Sequence, residues 1–318
     1  MNVLLSQLLE SSFANRSLQE ILAASPDALK DISAEQAAKL QESFGITTIR
    51  ELAESPVFQA AHLLLAGSGV PSFDPGPPPA WDTFFQQAPL GAYQAHNLPA
   101  KKAVFRTEFG PVFYRGRLDG TARVMLVGQD PSTDELLAAR TLVGLSGQRI
   151  QGLLTKIGLN RSYVMVNTFL YGIHGQFTAA IRTISLEPAI RDYRNSVFDQ
   201  IATHNPLQAI IAVGAGARHA VEHWSPPPAV PVFNIVHPSA DESSILQSWN
   251  QTLPQLIAAI TPDQGMMPDA APYGAQFHAS DMPTIPRTDL PFGIPSWHGS
   301  GGTRSVRSGD RKITWKSP

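Results

Sequence analysis

Apolar residues in the middle of the chain form short uninterrupted runs, each followed by a longer stretch with helical spacing. The apolar runs cover residues 123–127, 163–169, 209–213 and 230–236. The helical patterns cover residues 135–157, 188–204, 216–223 and 243–260. Runs without polar alternation are typical of parallel strands that are covered on both faces. The sequence therefore predicts an α/β fold, with three α/β/α layers around a four-stranded, mainly parallel sheet.

The amino-terminal 67 residues show only short helical patterns and predict a small all-α region. Ser33 and Thr48 each stand three residues before a Gln or Glu, which is the capping-box spacing of a helix start, and Gly45 suits a helix end. Residues 28–54 resemble a helix-hairpin-helix unit, a type that binds DNA phosphates through glycine-rich amides. The expected hairpin at residues 31–34 has no glycine and contains an acid. A packing or protein-contact domain is therefore the preferred interpretation, with DNA binding as the alternative.

Proline and glycine content sets the expected domain boundaries. Residues 68–82 contain five prolines and two glycines, as in a stiff linker. The end of the chain is rich in Pro, Gly, Ser and Arg and has little periodicity, as in a tail or an extended wrap. We predict a helical domain at residues 1–67, a linker at 68–82, the α/β domain at 83–262 and a tail at 263–318.

Composition restricts the chemistry and the compartment. The chain has no cysteine, which excludes disulfides, thiolate zinc sites and cysteine-bound iron–sulfur clusters. Its net charge of -2 gives no global basic field, but residues 101–123 and 287–318 each contain six Lys or Arg against two acids. The start of the chain is not typical of a signal peptide, and no apolar run has the length of a membrane span. We expect a cytoplasmic protein without membrane contact.

Three of the predicted strands are followed by, or end in, a side chain that can do chemistry. Asp130 follows the first strand, Asn167 lies at the end of the second, and His237 follows the fourth. Because the carboxyl ends of parallel strands meet at one edge of a sheet, the acid, the amide and the imidazole should share a crevice. Each residue also has a simpler interpretation, as a turn, cap or loop residue.

The sequence around these residues resembles the uracil-DNA glycosylase superfamily. The matching pieces are Gly128-Gln129-Asp130-Pro131, residues 140–148, residues 164–167 and His237-Pro238-Ser239. Their order and spacing fit the family over about residues 120–260. The resemblance implies a monomeric, nucleoid-associated DNA glycosylase that needs no metal or organic cofactor. It would flip a nucleotide out of single- or double-stranded DNA and hydrolyse the N-glycosidic bond of uracil or a related damaged base during base excision repair.

The resemblance also implies a role for each site residue. Asp130 would orient water at the sugar and offset the positive charge of the transition state. His237 would donate a hydrogen bond to the base oxygen that becomes anionic. Asn167 would read uracil and reject cytosine, which presents the reversed donor and acceptor. The other residues expected to contact the substrate are Gly128, Gln129, Ser132, Leu142, Pro238 and Ser239.

Three departures from the family pattern bear on the substrate. Ser132 replaces the tyrosine with which the most uracil-selective branch excludes thymine, so a broader range of bases is expected. Leu142 replaces the aromatic residue that stacks on the base. Asp241 and Glu242 follow the second motif, where two acids are expected to repel the DNA backbone.

Several other hypotheses stay open. The chain could be a non-catalytic member of the same fold that binds nucleic acid or protein, or an N-glycosidase that acts on free nucleosides. The H-x-x-E-H pattern at residues 219–223 is typical of zinc peptidases, although the prolines at 226–228 would end its helix. The glycines at 214 and 216 suggest a dinucleotide loop, but a helix start is the simpler interpretation. The basic residues between Arg304 and Lys316 either hold DNA phosphates or form a solvated tail.

Overall fold

The computed structural model describes residues 9–13, 16–30, 32–58, 60, 73–98, 102–175, 178–225 and 229–294. It divides into two compact units, Met1–Ser72 and Phe73–Pro318. The predicted basic tail at residues 304–316 lies outside the described residues. Among the helices that are described, none combines the length and the apolar character needed to cross a membrane.

The first unit is helical in its described part. Its helices are α1 (Leu18–Leu22), α2 (Ala34–Phe44) and α3 (Ile49–Glu54). Both predicted capping boxes are confirmed, and Gly45 ends α2 in the left-handed conformation with φ +69°. Leu9, Ile21, Ala28 and Ile49 form the small core of this unit. Residue 31, which is part of the expected DNA-binding hairpin, lies outside the described residues.

The second unit alternates between strands and helices after a short lead-in. The lead-in contains α4 (Pro79–Phe85), α5 (Leu90–Gln94) and the antiparallel pair β1 (Asn97–Leu98) and β2 (Lys102–Ala103). The strands that follow are β3 (Arg115–Gly116), β4 (Val124–Gly128), β5 (Tyr163–Asn167), β6 (Ala209–Val213) and β7 (Val232–Ile235). The helices are α6 (Thr133–Ala138), α7 (Gly144–Lys156), α8 (Ala179–Ile184), α9 (Pro188–His204), α10 (Gly214–Glu222) and α11 (Glu242–Ala259).

The strands β3 to β7 form one sheet in the order β3-β5-β4-β6-β7. The four predicted strands run parallel, whereas β3 is antiparallel to β5 and makes the sheet five-stranded instead of four-stranded. Two residues are too few to leave a hydrophobic pattern, which is why the sequence did not reveal β3. The predicted α/β class and the mainly parallel sheet are confirmed.

Alternate residues of the central strand β4 face two different helical layers. Val124 and Leu126 pack in a cluster with α7 and α11, and Met125 and Val127 pack in a second cluster with α9 and α10. This is the expected result when a fully buried strand has a side-chain period of two residues. The sheet therefore lies between two layers of helices, as the three-layer prediction requires.

The order of the strands reverses at the centre of the sheet. The chain passes from β4 to β5 on one side and then returns to β6 on the other side of β4. In open α/β sheets, ligands bind at the carboxyl ends of the strands where this reversal occurs. The loops after β4 and β6 are therefore the places at which a site is expected.

Two sequence-based expectations about helices and boundaries differ from the structure. The helical pattern at residues 135–157 is two helices, α6 and α7, because Ala139 and Leu142 adopt positive φ angles of 52° and 53° between them. The second unit also extends beyond residues 83–262. Trp81 in α4 donates to the carbonyl of Leu118 at 3.0 Å, and residues 263–294, here called the C-terminal segment, contribute buried side chains such as Asp289. Such contacts are made by single residues and leave no periodic signal.

Candidate active site

Asp130 lies on the turn after β4 and is held by two donors. Its carboxylate accepts a hydrogen bond from Gln129 Nε2 and another from the backbone N–H of Ile173, both at 2.8 Å. Burial raises the pKa of Asp130 above its ordinary value, while the two hydrogen bonds and the charge of Arg106 oppose this rise. Each carboxylate oxygen keeps a lone pair. The group is thus fixed in position and still able to accept a hydrogen bond from water.

Asn167 ends β5 directly beside the start of the Asp130 turn. It is paired with Gly128 across the parallel ladder, and its side-chain oxygen lies so close to Gly128 that a β-carbon there would clash with it. The residue is only 5% exposed, and its Nδ2 has no hydrogen-bond partner among the described residues. Leaving a buried donor unpaired costs about 1–3 kcal/mol. An unpaired buried donor is therefore available to a ligand acceptor that reaches it.

His237 follows β7 and carries a defined neutral tautomer. The Ser239 backbone N–H donates to His237 Nδ1 at 3.2 Å, and Ser239 Oγ lies 2.8 Å from the same nitrogen. Burial lowers the pKa of His237 to about 4, so the ring is neutral at pH 7. Because Nδ1 accepts a hydrogen bond, we assign the ring proton to Nε2. That N–H is a donor that carries no charge.

The first turn of α10 provides space for two site side chains. A β-carbon on Gly214 would lie 2.9 Å from His237 Cβ, and one on Gly216 would lie 2.6 Å from Gln129 Cγ. Gly214 also has a φ of +87°, which favours glycine. These glycines therefore make room for His237 and Gln129. The helix-start interpretation is confirmed, since α10 begins at Gly214.

Glu135 was not assigned a role from the sequence, although it fixes the geometry of the site. Its carboxylate accepts the backbone N–H of Ser132 at 2.7 Å and that of Leu142 at 2.5 Å, and so joins the Asp130 turn to the connection between α6 and α7. Burial raises the pKa of Glu135 to about 7. The spacing from Ser132 to Glu135 is that of a capping box, and this signal could have identified the residue.

Ser132 and Leu142 lie in different surroundings. Ser132 is exposed at the N-terminal cap of α6, directly after the Asp130 turn. Leu142 is 3% exposed and packs in the core cluster that contains Val124 and Leu126. The structure thus brings Ser132 to the rim of the crevice but leaves Leu142 little free side-chain surface with which to contact a base.

The two acids after Ser239 have internal partners. Asp241 caps α11 by accepting the Ser244 backbone N–H at 3.2 Å, and Glu242 forms an ion pair with Arg149 at 2.8 Å. Arg149 also donates to the carbonyl of Pro238 at 2.7 Å and thereby supports the loop that carries His237. The expected repulsion of the DNA backbone is reduced, since the charge of Glu242 is paired. Neither the role of Glu242 nor the role of Arg149 has a local sequence signal.

Two other features lie away from Asp130 and His237. A cavity of about 10 Å³ is lined by Asn167 and by aromatic residues such as Phe85 and Phe113, but neither Asp130 nor His237 borders it. It has room for roughly one water. The candidate ligand atoms of the H-x-x-E-H pattern at residues 219–223 lie within 4.8 Å of one another. They lie in the C-terminal half of α10 and just after it, about 7 to 14 Å along the helix axis from Gly214.

The fold and the three side chains define a three-layer α/β protein whose parallel strands deliver an acid, an amide and an imidazole to one edge. Residues 115–263 match the family model of the uracil DNA glycosylase superfamily. This domain of the chain belongs to that superfamily, which confirms the resemblance found in the sequence. Membership supports a glycosylase-like function and DNA binding. A search of curated proteins found no match to the chain.

Proposed function

We propose that the chain is a DNA glycosylase that hydrolyses the N-glycosidic bond of uracil or a related damaged base in DNA. Membership of the superfamily supports the general class. The observation that carries the proposal is the unpaired, buried Nδ2 of Asn167, which lies beside the turn that holds the Asp130 carboxylate. The missing partner of this buried donor is explained if an acceptor on the bound base forms a hydrogen bond with it.

Asp130 supports the departure of the base from the sugar. Glycosidic cleavage passes through an oxocarbenium-like transition state, so a nearby carboxylate stabilises the positive charge that develops on the sugar. The donors from Gln129 and Ile173 keep the carboxylate in place. Its remaining lone pairs can orient the water that attacks the sugar carbon and accept a proton from it.

His237 stabilises the leaving base. The neutral ring has its proton on Nε2, while Nδ1 accepts a hydrogen bond from Ser239. As the base departs, negative charge grows on its O2 atom, and a hydrogen bond to that oxygen becomes stronger. No proton has to be transferred in this step, since a fixed neutral donor is sufficient.

Asn167 selects the base. With Oδ1 against Gly128 and Nδ2 unpaired, the amide can donate to a carbonyl such as uracil O4. Cytosine has an amino group at that position, which would place a donor against a donor. A site built around hydrogen bonds discriminates strongly, because the wrong base leaves buried polar groups unpaired.

The test is base release from oligonucleotides that contain uracil, hypoxanthine, xanthine or mismatched thymine. We expect abasic sites from at least one base, and we expect Asp130→Ala to lower the rate of release by about 10²- to 10⁴-fold. The exposed Asp119, in the turn before β4 at the opposite edge of the sheet, offers a control, because Asp119→Ala removes the same charge away from the site. Equal rates for wild type and Asp130→Ala would contradict the assignment.

The same experiment separates the proposal from its alternatives. DNA binding without abasic product from any base would favour a non-catalytic member of the fold. Release of base from free nucleosides but not from oligonucleotides would favour a nucleoside N-glycosidase. Full activity in metal-free protein would remove the zinc hydrolase hypothesis for residues 219–223.

A further inference from the structure

Most arginines of the basic segment at residues 101–123 lie next to acidic side chains of the protein itself. Arg117 forms an ion pair with Asp289 at 2.8 Å, and the fully buried Arg115 lies 3.8 Å from the same carboxylate. Arg123 forms an ion pair with Asp263 at 3.0 Å. These arginines hold the C-terminal segment and are not available to a ligand. The positive charge expected for DNA contact must come from elsewhere.

Among the arginines of this segment, all of which the structure describes, Arg106 is the exception. Among the described residues no acid lies within ion-pair distance of it, and its Nε is buried without a hydrogen-bond partner. The residue as a whole is half-buried, so part of its surface faces solvent. An arginine with a buried, unpaired donor and an open side can bind an anion.

The position of Arg106 places it beside the turn that carries Asp130. Its backbone N–H donates to the carbonyl of Gly172 at 2.8 Å, and the neighbouring Phe105 forms a bridge with Ile173, the residue that donates to Asp130. A β-carbon on Gly172 would lie 2.7 Å from the carbonyl of Pro131 and 3.6 Å from Arg106 Cδ. The stem of Arg106 therefore lies close to the Asp130 turn.

We propose that Arg106 binds a backbone phosphate of the nucleotide whose base enters the site. The inference rests on the proposed function, since it assumes that the sugar of that nucleotide faces Asp130. The phosphates attached to this sugar must then pass the rim of the Asp130 turn, where Arg106 lies. The planar guanidinium forms two parallel hydrogen bonds to phosphate oxygens, which fixes the nucleotide in register without reading its base.

The test measures DNA binding rather than base release. Wild-type protein and Arg106→Gln are titrated with an oligonucleotide that carries a tetrahydrofuran abasic analogue, which offers no base to cleave, over a series of salt concentrations. Loss of one phosphate contact should reduce the slope of log K against log salt by about 0.7–0.9. Arg106→Lys keeps the charge and should keep most of the slope.

Arg161 supplies the matched control. It is exposed just before β5, at the edge of the sheet opposite to the site. Arg161→Gln should leave the slope unchanged. A wild-type slope for Arg106→Gln would overturn the phosphate site. A loss of kcat on uracil-containing DNA with the slope and KM unchanged would also overturn it, because Arg106 would then act through Asp130. A reduced slope without any base release would uphold the phosphate site while the proposed glycosylase function fails.

Discussion

His237 couples the chemistry of the site to the stability of the fold. Burial lowers its pKa to about 4, from 6.5 in an open environment. Between these two pH values the unfolded chain takes up a proton that the folded chain does not. The contribution of His237 to stability is therefore fully present above pH 6.5 and is lost as the pH falls toward 4.

This linkage gives a residue-scale prediction. The wild-type free energy of unfolding should decrease between pH 6.5 and 4.5, and His237→Asn should remove part of that decrease because no imidazole remains to be protonated. Urea unfolding monitored at several pH values measures the effect. The exposed His204 at the end of α9 is the control, and His204→Gln should keep the wild-type pH dependence. An identical pH dependence for wild type and His237→Asn would contradict the burial of the ring.

At the scale of single residues, the sequence identified the three candidate side chains but not the residues that hold them in place. Asp130, Asn167 and His237 each follow or end an apolar strand, and that position is a local signal. Arg106 and Arg149 are held by partners far along the chain, Gly172 and Pro238, whereas Glu135 also has the local signal of a capping box. A side chain whose partner lies far along the chain leaves no pattern in its own neighbourhood.

At the scale of elements, the start of α10 positions His237. Alanine at Gly214 meets a positive φ of 87° and places its β-carbon 2.9 Å from His237 Cβ. We predict that Gly214→Ala lowers kcat by about 10- to 100-fold, since a small displacement of a catalytic group has an effect of this size. Rates of base release measure it.

Gly265 separates backbone strain from displacement of the histidine. It has a φ of +78°, but a β-carbon there would meet no atom within 4 Å. Gly265→Ala should therefore cost about 1–2 kcal/mol of stability from the left-handed backbone and leave kcat unchanged. Equal losses of activity in the two alanine variants would show that the contact with His237 does not cause the loss of kcat in Gly214→Ala.

Elements with a long hydrophobic pattern were predictable, and short or strained ones were not. The predicted ranges for β6 and α9 agree with the structure at both ends. By contrast, the break between α6 and α7 depends on Ala139 and Leu142, residues that seldom adopt positive φ. Glu135 stabilises this break by binding the Leu142 backbone N–H, and such a tertiary contact overrides the local helical preference.

At the scale of the whole molecule, the C-terminal segment is joined to the sheet by buried charge. The fully buried Asp289 accepts hydrogen bonds from Tyr163 in β5 at 2.7 Å and from Arg117 at 2.8 Å. Removing the Asp289 carboxylate leaves the Arg117 charge and the Tyr163 hydroxyl without their acceptor. We predict that Asp289→Ala lowers the free energy of unfolding by about 3–5 kcal/mol, measured by chemical denaturation.

Asp269 is the matched control within the same segment. Its ion pair with Lys156 at 2.6 Å is partly exposed to solvent. Asp269→Ala should cost at most about 1 kcal/mol, since exposed ion pairs contribute little. Comparable losses for the two variants would show that burial of Asp289 does not determine the strength of the attachment.

The carboxylate that faces the buried Arg115 is synthesised late. The ribosome releases Arg115 and the strands β3 to β7 before it releases Asp289, which is 174 positions after Arg115. Until then the guanidinium lacks its carboxylate, and a nascent chain ending at residue 263, where the family match ends, has the sheet but not the counter-charge. A chain that stops before Asp289 is therefore expected to be less stable, because Arg115 keeps its hydrogen bonds to the Leu142 carbonyl and to Gln151 Oε1 but has no carboxylate beside its buried charge.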